Sequence, residues 1–94
     1  MNTNFQMLRE LLEVYHPQKR GIVLPEEFRT IRKTLCLKEM DILALRNLRD
    51  MTVMFLSREA KENKTTENIM KNWDRMSAIT YVIDTEIINK GGEV

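Results

Sequence analysis

The chain has 94 residues, 43% of them hydrophobic and 31% charged, with a formal net charge of +1. That is room for one domain with enough apolar material for a core, which sets aside disorder and a multidomain machine. Near-neutral total charge gives no global pull toward DNA or an anionic membrane, although residues 1–49 carry nine Lys/Arg against six Asp/Glu and residues 50–94 six against eight.

Thr3 to His16 follow the pattern of an amphipathic helix. Phe5, Leu8, Leu12 and Tyr15 recur on one side with Leu11 alongside, while Arg9, Glu10 and Glu13 face away. Asn2, Thr3 or Asn4 supplies a cap, and Pro17 ends the helix by disfavouring helical geometry at His16. The stretch PQKRG is a loop. A second helix starts at Leu24-Pro25-Glu26-Glu27, where proline suits the first turn and the two carboxylates suit the positive end of the dipole. Phe28, Ile31 and Leu35 form its apolar face.

From Glu26 to Lys90 no glycine or proline interrupts the chain, so the breaks must be soft ones: Leu35–Lys38, and ENKTTEN with its capping Asn63, Thr65 and Thr66. Between them a long helix is expected over about 39–62, with Met40, Ala44, Leu48, Met51 and Phe55 in one stripe. Another follows over about 67–89, where Ile69, Trp73, Met76, Thr80, Ile83 and Ile87 alternate spacings of four and three, a coiled-coil-like seam. ITYVIDTEII is β-branched, yet a lone strand would have nothing to pair with, so helix is expected there too. The expected architecture is all-α: a small bundle built on a long antiparallel hairpin with two shorter N-terminal helices. Residues 1–90 form its single domain and 91–94 a disordered tail.

Both long helices are apolar beyond one stripe. Met70, Tyr81 and Ile88 fall together beside the Trp73 seam, and Leu45 and Leu56 flank the Leu48 stripe. Two short helices are little cover for that width, so a homodimer is expected, with Leu45, Leu56, Met70, Tyr81 and Ile88 at a dimer or partner interface.

Constellations for catalysis are thin. His16 stands alone before a proline, and Ser57 and Ser77 sit mid-helix without a histidine positioned to activate them. One His and one Cys cannot close a metal site, and no Gly-rich loop follows a strand, so no metal or cofactor is expected. Cys36, flanked by Leu35 and Leu37, reads as a buried inert thiol. The start MNTNFQMLRE lacks the pattern of a signal peptide, and the longest apolar run, near Met51–Leu56, is far short of a membrane span. A cytoplasmic location is expected, which leaves the sequon Asn63-Lys64-Thr65 idle.

Lys19, Arg20, Arg29, Arg32, Lys33 and Lys38 lie within twenty residues and are opposed there only by Glu26 and Glu27. Such a cluster can meet phosphates, although a solvated helix face beside a polar loop is the plainer reading. Over eighteen residues, PEEFRTIRKTLCLKEMDI resembles the opening of helix-turn-helix domains of the phage-repressor type. That resemblance implies a DNA-binding regulator. The chain then departs from the pattern: LALRNLRDMTVMFLSREA runs on as one helix where the family has a tight turn and a separate recognition helix.

Seven methionines, and Trp73 in the last seam, read mainly as core, with adaptable contact surfaces as the second reading. In the closing INKGGEV, Gly91 fits a helix stop. Lys-Gly-Gly-Glu can also be encoded by a purine-rich ribosome-binding string, which would place the gene in a tightly packed operon of a phage or mobile element. The function expected from these features is a non-enzymatic adaptor or inhibitor that binds a host or phage protein. A small DNA-binding regulator using residues 19–38 is the alternative.

Overall fold

A computed structural model describes residues 4–93, which form four α-helices: α1 (Asn4–Val14), α2 (Pro25–Thr34), α3 (Ile42–Glu62) and α4 (Thr66–Asn89). The expected caps Asn2 and Thr3, and Val94 of the expected tail, lie outside the described residues. The two long helices pack along each other as an antiparallel hairpin; α1 packs on α2 and α3, and α2 packs on α4. No strand occurs among the described residues, and ITYVIDTEII is helix throughout. There the Thr80 and Thr85 hydroxyls donate to the carbonyls of Met76 (2.7 Å) and Tyr81 (2.8 Å), so these side chains satisfy themselves within the helix.

Each helix start has a local cause. Pro25 opens α2, and the Glu27 carboxylate reaches back to accept the Leu24 N–H at 3.2 Å. The same buried carboxylate accepts the Tyr15 hydroxyl at 2.9 Å, tying the end of α1 to the start of α2. Burial first, and then that hydrogen bond, hold the Tyr15 phenol well above its ordinary pKa. Asp41 caps α3 by accepting the Ala44 N–H at 2.8 Å, and Thr65 caps α4 by accepting the Asn68 N–H at 3.2 Å. The Asn68 amide then donates to the carbonyls of Glu59 and Asn63, closing the hairpin turn.

The break after α2 falls where the sequence suggests, but by an unexpected device. Cys36 adopts a left-handed conformation (φ 54°), and a 3₁₀ turn, Leu37–Glu39, follows. Leu35 and Leu37 are both fully buried, and the residue between them turns outward. Cys36 is therefore exposed, which corrects the expectation of a buried thiol.

The core also corrects the expected faces. Leu45 and Leu56, assigned by sequence to an interface, are buried within the chain itself, at 0% and 1% exposure. The inward stripe of α3 is Leu45, Leu48, Thr52 and Leu56, rotated from the expected Met40–Phe55 stripe. Thr52 sits at its centre because its hydroxyl donates to the Leu48 carbonyl at 2.8 Å and needs no other partner. On α4 the inward residues include Met76, Ile79, Val82, Ile83 and Ile87, while Trp73 faces out.

Residues 91–93, expected as part of a disordered tail, are hydrogen-bonded to the bundle. The Gly92 N–H donates to the Ile87 carbonyl (2.9 Å) and the Gly91 N–H to that of Ile88 (3.0 Å), with Gly91 at φ +89°. This is the Schellman pattern that satisfies the last carbonyls of a helix. Arg46 of α3 donates to the Glu93 carbonyl at 2.8 Å, and the Lys90 ammonium donates to the carbonyls of Leu37, Lys38 and Met40. Gly91 and Gly92 thus have a protein-level role. No helix among the described residues is long and apolar enough to cross a membrane.

Candidate functional site

With 3.6 residues per turn, Met70, Trp73, Ser77, Tyr81, Asp84 and Ile88 fall within a sector of about 80° on α4, away from its buried face. Trp73, Tyr81 and Ile88 are 52%, 56% and 59% exposed, and Met70 is half-buried. Of the residues assigned by sequence to an interface, Met70, Tyr81 and Ile88 therefore share one surface, and Leu45 and Leu56 do not join them. Trp73 does. Its place in an alternating four-and-three pattern reads as a seam. The helix rolls otherwise because polar neighbours take the inward positions: Asn72 bonds to Asn68, and Arg75 bonds to α1.

The row is held by its surroundings. Phe28 of α2 meets the Tyr81 ring edge-on, with centroids 6.3 Å apart. Between Tyr81 and the loop before α2 lies an open cleft of about 500 Å³, bordered by Lys19, Ile22, Val23, Asp74 and Ser77. Gly21, at φ +74°, and a bridge between Lys19 and Ile22 shape that loop, which leaves Ile22 exposed. Two ion pairs meet the row, Arg20–Asp74 at its edge (3.2 Å) and Arg49–Asp84 within it (2.7 Å). Ser77 lines the cleft, but no histidine or cysteine does.

A smaller apolar groove of about 330 Å³ lies between α1 and α3, where Phe5, Met51, Met54 and Phe55 meet, with Asn47, Asp50 and Arg58 at its rim. Phe5 and Phe55 pack edge-to-face at 5.4 Å, and Arg9 lies over the Phe5 ring. This groove was illegible in the sequence, because it joins residues fifty positions apart.

The basic cluster is divided. Arg20 is paired with Asp74, and Arg32 makes a two-pronged contact with Glu86, its Nε and Nη2 each 3.0 Å from a carboxylate oxygen. That bond holds the Glu86 carboxyl below its usual range, against the burial that would raise it. Lys19, Arg29, Lys33 and Lys38 are exposed, and none forms an ion pair among the described residues. Two of the six cations are therefore paired with carboxylates of α4, Arg20 at the exposed surface and Arg32 against a buried one.

Arg75 is another charged group tied into the structure. It is 9% exposed, donates to the Leu12 carbonyl at 3.0 Å and to His16 Nδ1 at 3.1 Å, and leaves its Nε without a partner. Burial lowers its pKa. Desolvation, then the charges of Arg75 and Lys71, lower that of His16, and since a guanidinium can only donate, Nδ1 is the acceptor in this contact. No group of three or more His, Cys, Asp or Glu that could hold a metal occurs among the described residues. Comparison of the chain with protein-family models, with curated proteins and with solved structures returns no match.

Proposed function

We propose that this chain is a small non-enzymatic protein–protein interaction module, an adaptor or inhibitor, that makes its contact through the outer face of α4. The observation that carries the reading is the row itself: Trp73, Tyr81 and Ile88 each lie more than half exposed on one helix face. Complete burial of such a side chain is worth about 1.5–3 kcal/mol, so a partner covering the exposed halves gains several kcal/mol before the costs of association. Tyr and Trp are also the residues that most often dominate protein interfaces. The Phe5–Met54 groove offers a second apolar surface, which an adaptor requires, and methionine lets such a surface fit varied partners.

The test compares three immobilised proteins: the unmodified chain, Trp73→Glu on the row, and Lys33→Glu on the exposed side of α2. A protein retained from lysate by the first and third but lost with Trp73→Glu is the expected result. Salt-sensitive binding of duplex DNA that Lys33→Glu weakens and Trp73→Glu leaves intact would overturn it in favour of a nucleic-acid contact.

A further inference from the structure

We propose that His16 is a pH-sensitive latch, which holds the end of α1 and the loop 17–21 against α4 while its imidazole is neutral and opens on protonation. The loop is fastened to α4 at two points, by the side chains of two consecutive helix residues. Asp74 takes Arg20 in an ion pair at 3.2 Å, and Arg75 donates through Nη2 to His16 Nδ1 at 3.1 Å. Only the second clasp depends on an imidazole, the side chain that ordinarily titrates at about 6.5. A guanidinium has no acceptor atom, so the bond exists only while Nδ1 keeps its lone pair. An imidazolium carries hydrogen on both nitrogens, and the contact would then set two donors and two like charges face to face.

The surroundings relieve neither charge. Arg75 and Lys71 of α4, whose charges bear on His16, are both positive, and the loop itself brings Lys19 and Arg20. Glu13 of α1 and Glu59 of α3 share a pocket of about 210 Å³ with Arg9 and Arg75. No carboxylate among the described residues, however, pairs with Arg75 or His16. Arg75 cannot withdraw into water: it is 9% exposed, its Nε already lacks a partner, and its other contact is the Leu12 carbonyl. His16 is exposed, so the imidazole is the side that leaves. Desolvation, then the two α4 cations, hold the ring below its ordinary value of 6.5. Around that pH the folded chain therefore binds fewer protons than the unfolded one. The latch's contribution is complete above 6.5 and is lost as pH falls through the lowered value. Pro17, Lys19 and Gly21 of the latched loop line the cleft beside Tyr81, so opening frees one fastening of that wall.

Nuclear magnetic resonance of the full chain, titrated from about pH 8 to about pH 5.5, spans the range in which a histidine changes charge. The His16 ring should titrate below 6.5. The backbone amides of Lys19 to Ile22, three residues or more from the ring, should shift with the same midpoint. In His16→Asn a side-chain oxygen can accept in place of Nδ1 and does not titrate, so those amides should hold their positions throughout. Melting temperature should fall over the same range in the unmodified chain and fall less in His16→Asn. A ring that titrates at 6.5 or above overturns the proposal, and so do loop amides that ignore the ring's titration. Equal losses of melting temperature in the two proteins overturn it as well. The titration of the unmodified chain decides the matter even if the variant fails to fold.

Discussion

Gly91 and Gly92 show how much a single position can carry in this bundle. Gly91 holds φ +89°, a conformation in which a Cβ is strained, and its N–H closes the last turn of α4. Gly91→Ala should destabilise the chain by about 1 kcal/mol, which for a domain of this size lowers Tm by about 4–8 °C. At Gly92 the objection is space: a Cβ would lie 2.7 Å from Ile87 Cγ2 and 3.3 Å from Ile42 Cδ1. Ile87 is buried and cannot retreat freely, so Gly92→Ala should cost at least as much. Thermal unfolding of the two variants checks both; an unchanged Tm would mean that residues 91–93 do not hold the end of the bundle. The residue sequence announced Gly91 as a helix stop, but the closeness of Gly92 to Ile42 depends on packing between α3 and α4.

At the scale of elements, the Arg32–Glu86 pair fastens α2 to α4. Glu86 is 4% exposed, and Arg32 keeps its carboxyl below the usual range. A lowered carboxylate pKa means that the folded chain binds fewer protons than the unfolded one. Its stabilisation is present above the ordinary value of 4.5 and is lost as pH falls through the lowered one. Arg32→Gln leaves the carboxylate buried without its cation, so acid unfolding should begin at higher pH and neutral stability should drop. Acid titrations of the two proteins that superimpose would show that the pair fastens nothing. Helix boundaries were legible because their causes are local: Pro25, Asp41 and Thr65 act within a few residues of themselves. Helix facing was not, since both long helices carry apolar residues around more than one side. What chose the faces was a set of distant bonds, such as Arg75 to Leu12 and Arg32 to Glu86, together with the self-satisfied Thr52. For the same reason the surface was only half legible: Tyr81 and Ile88 were placed on it by pattern, whereas Leu45 and Leu56 went inside and Trp73 came out.

Across the whole molecule, the apolar residues divide between a core shared by all four helices and exposed positions that include the row on α4, the Phe5–Met54 groove and Leu43 at the start of α3. The row on α4 is the surface on which the proposed protein contact rests. The chain supplies its own probe, because Trp73 is the sole tryptophan and stands in the row. Acrylamide quenching of its fluorescence, measured on the free chain and with the protein retained from lysate, reads directly whether the face is covered. The account predicts a quenchable indole in the free chain, 52% exposed, that becomes shielded, with emission shifting to the blue, when the partner binds. Quenching that stays at the level of a half-exposed indole when the partner is bound would contradict it.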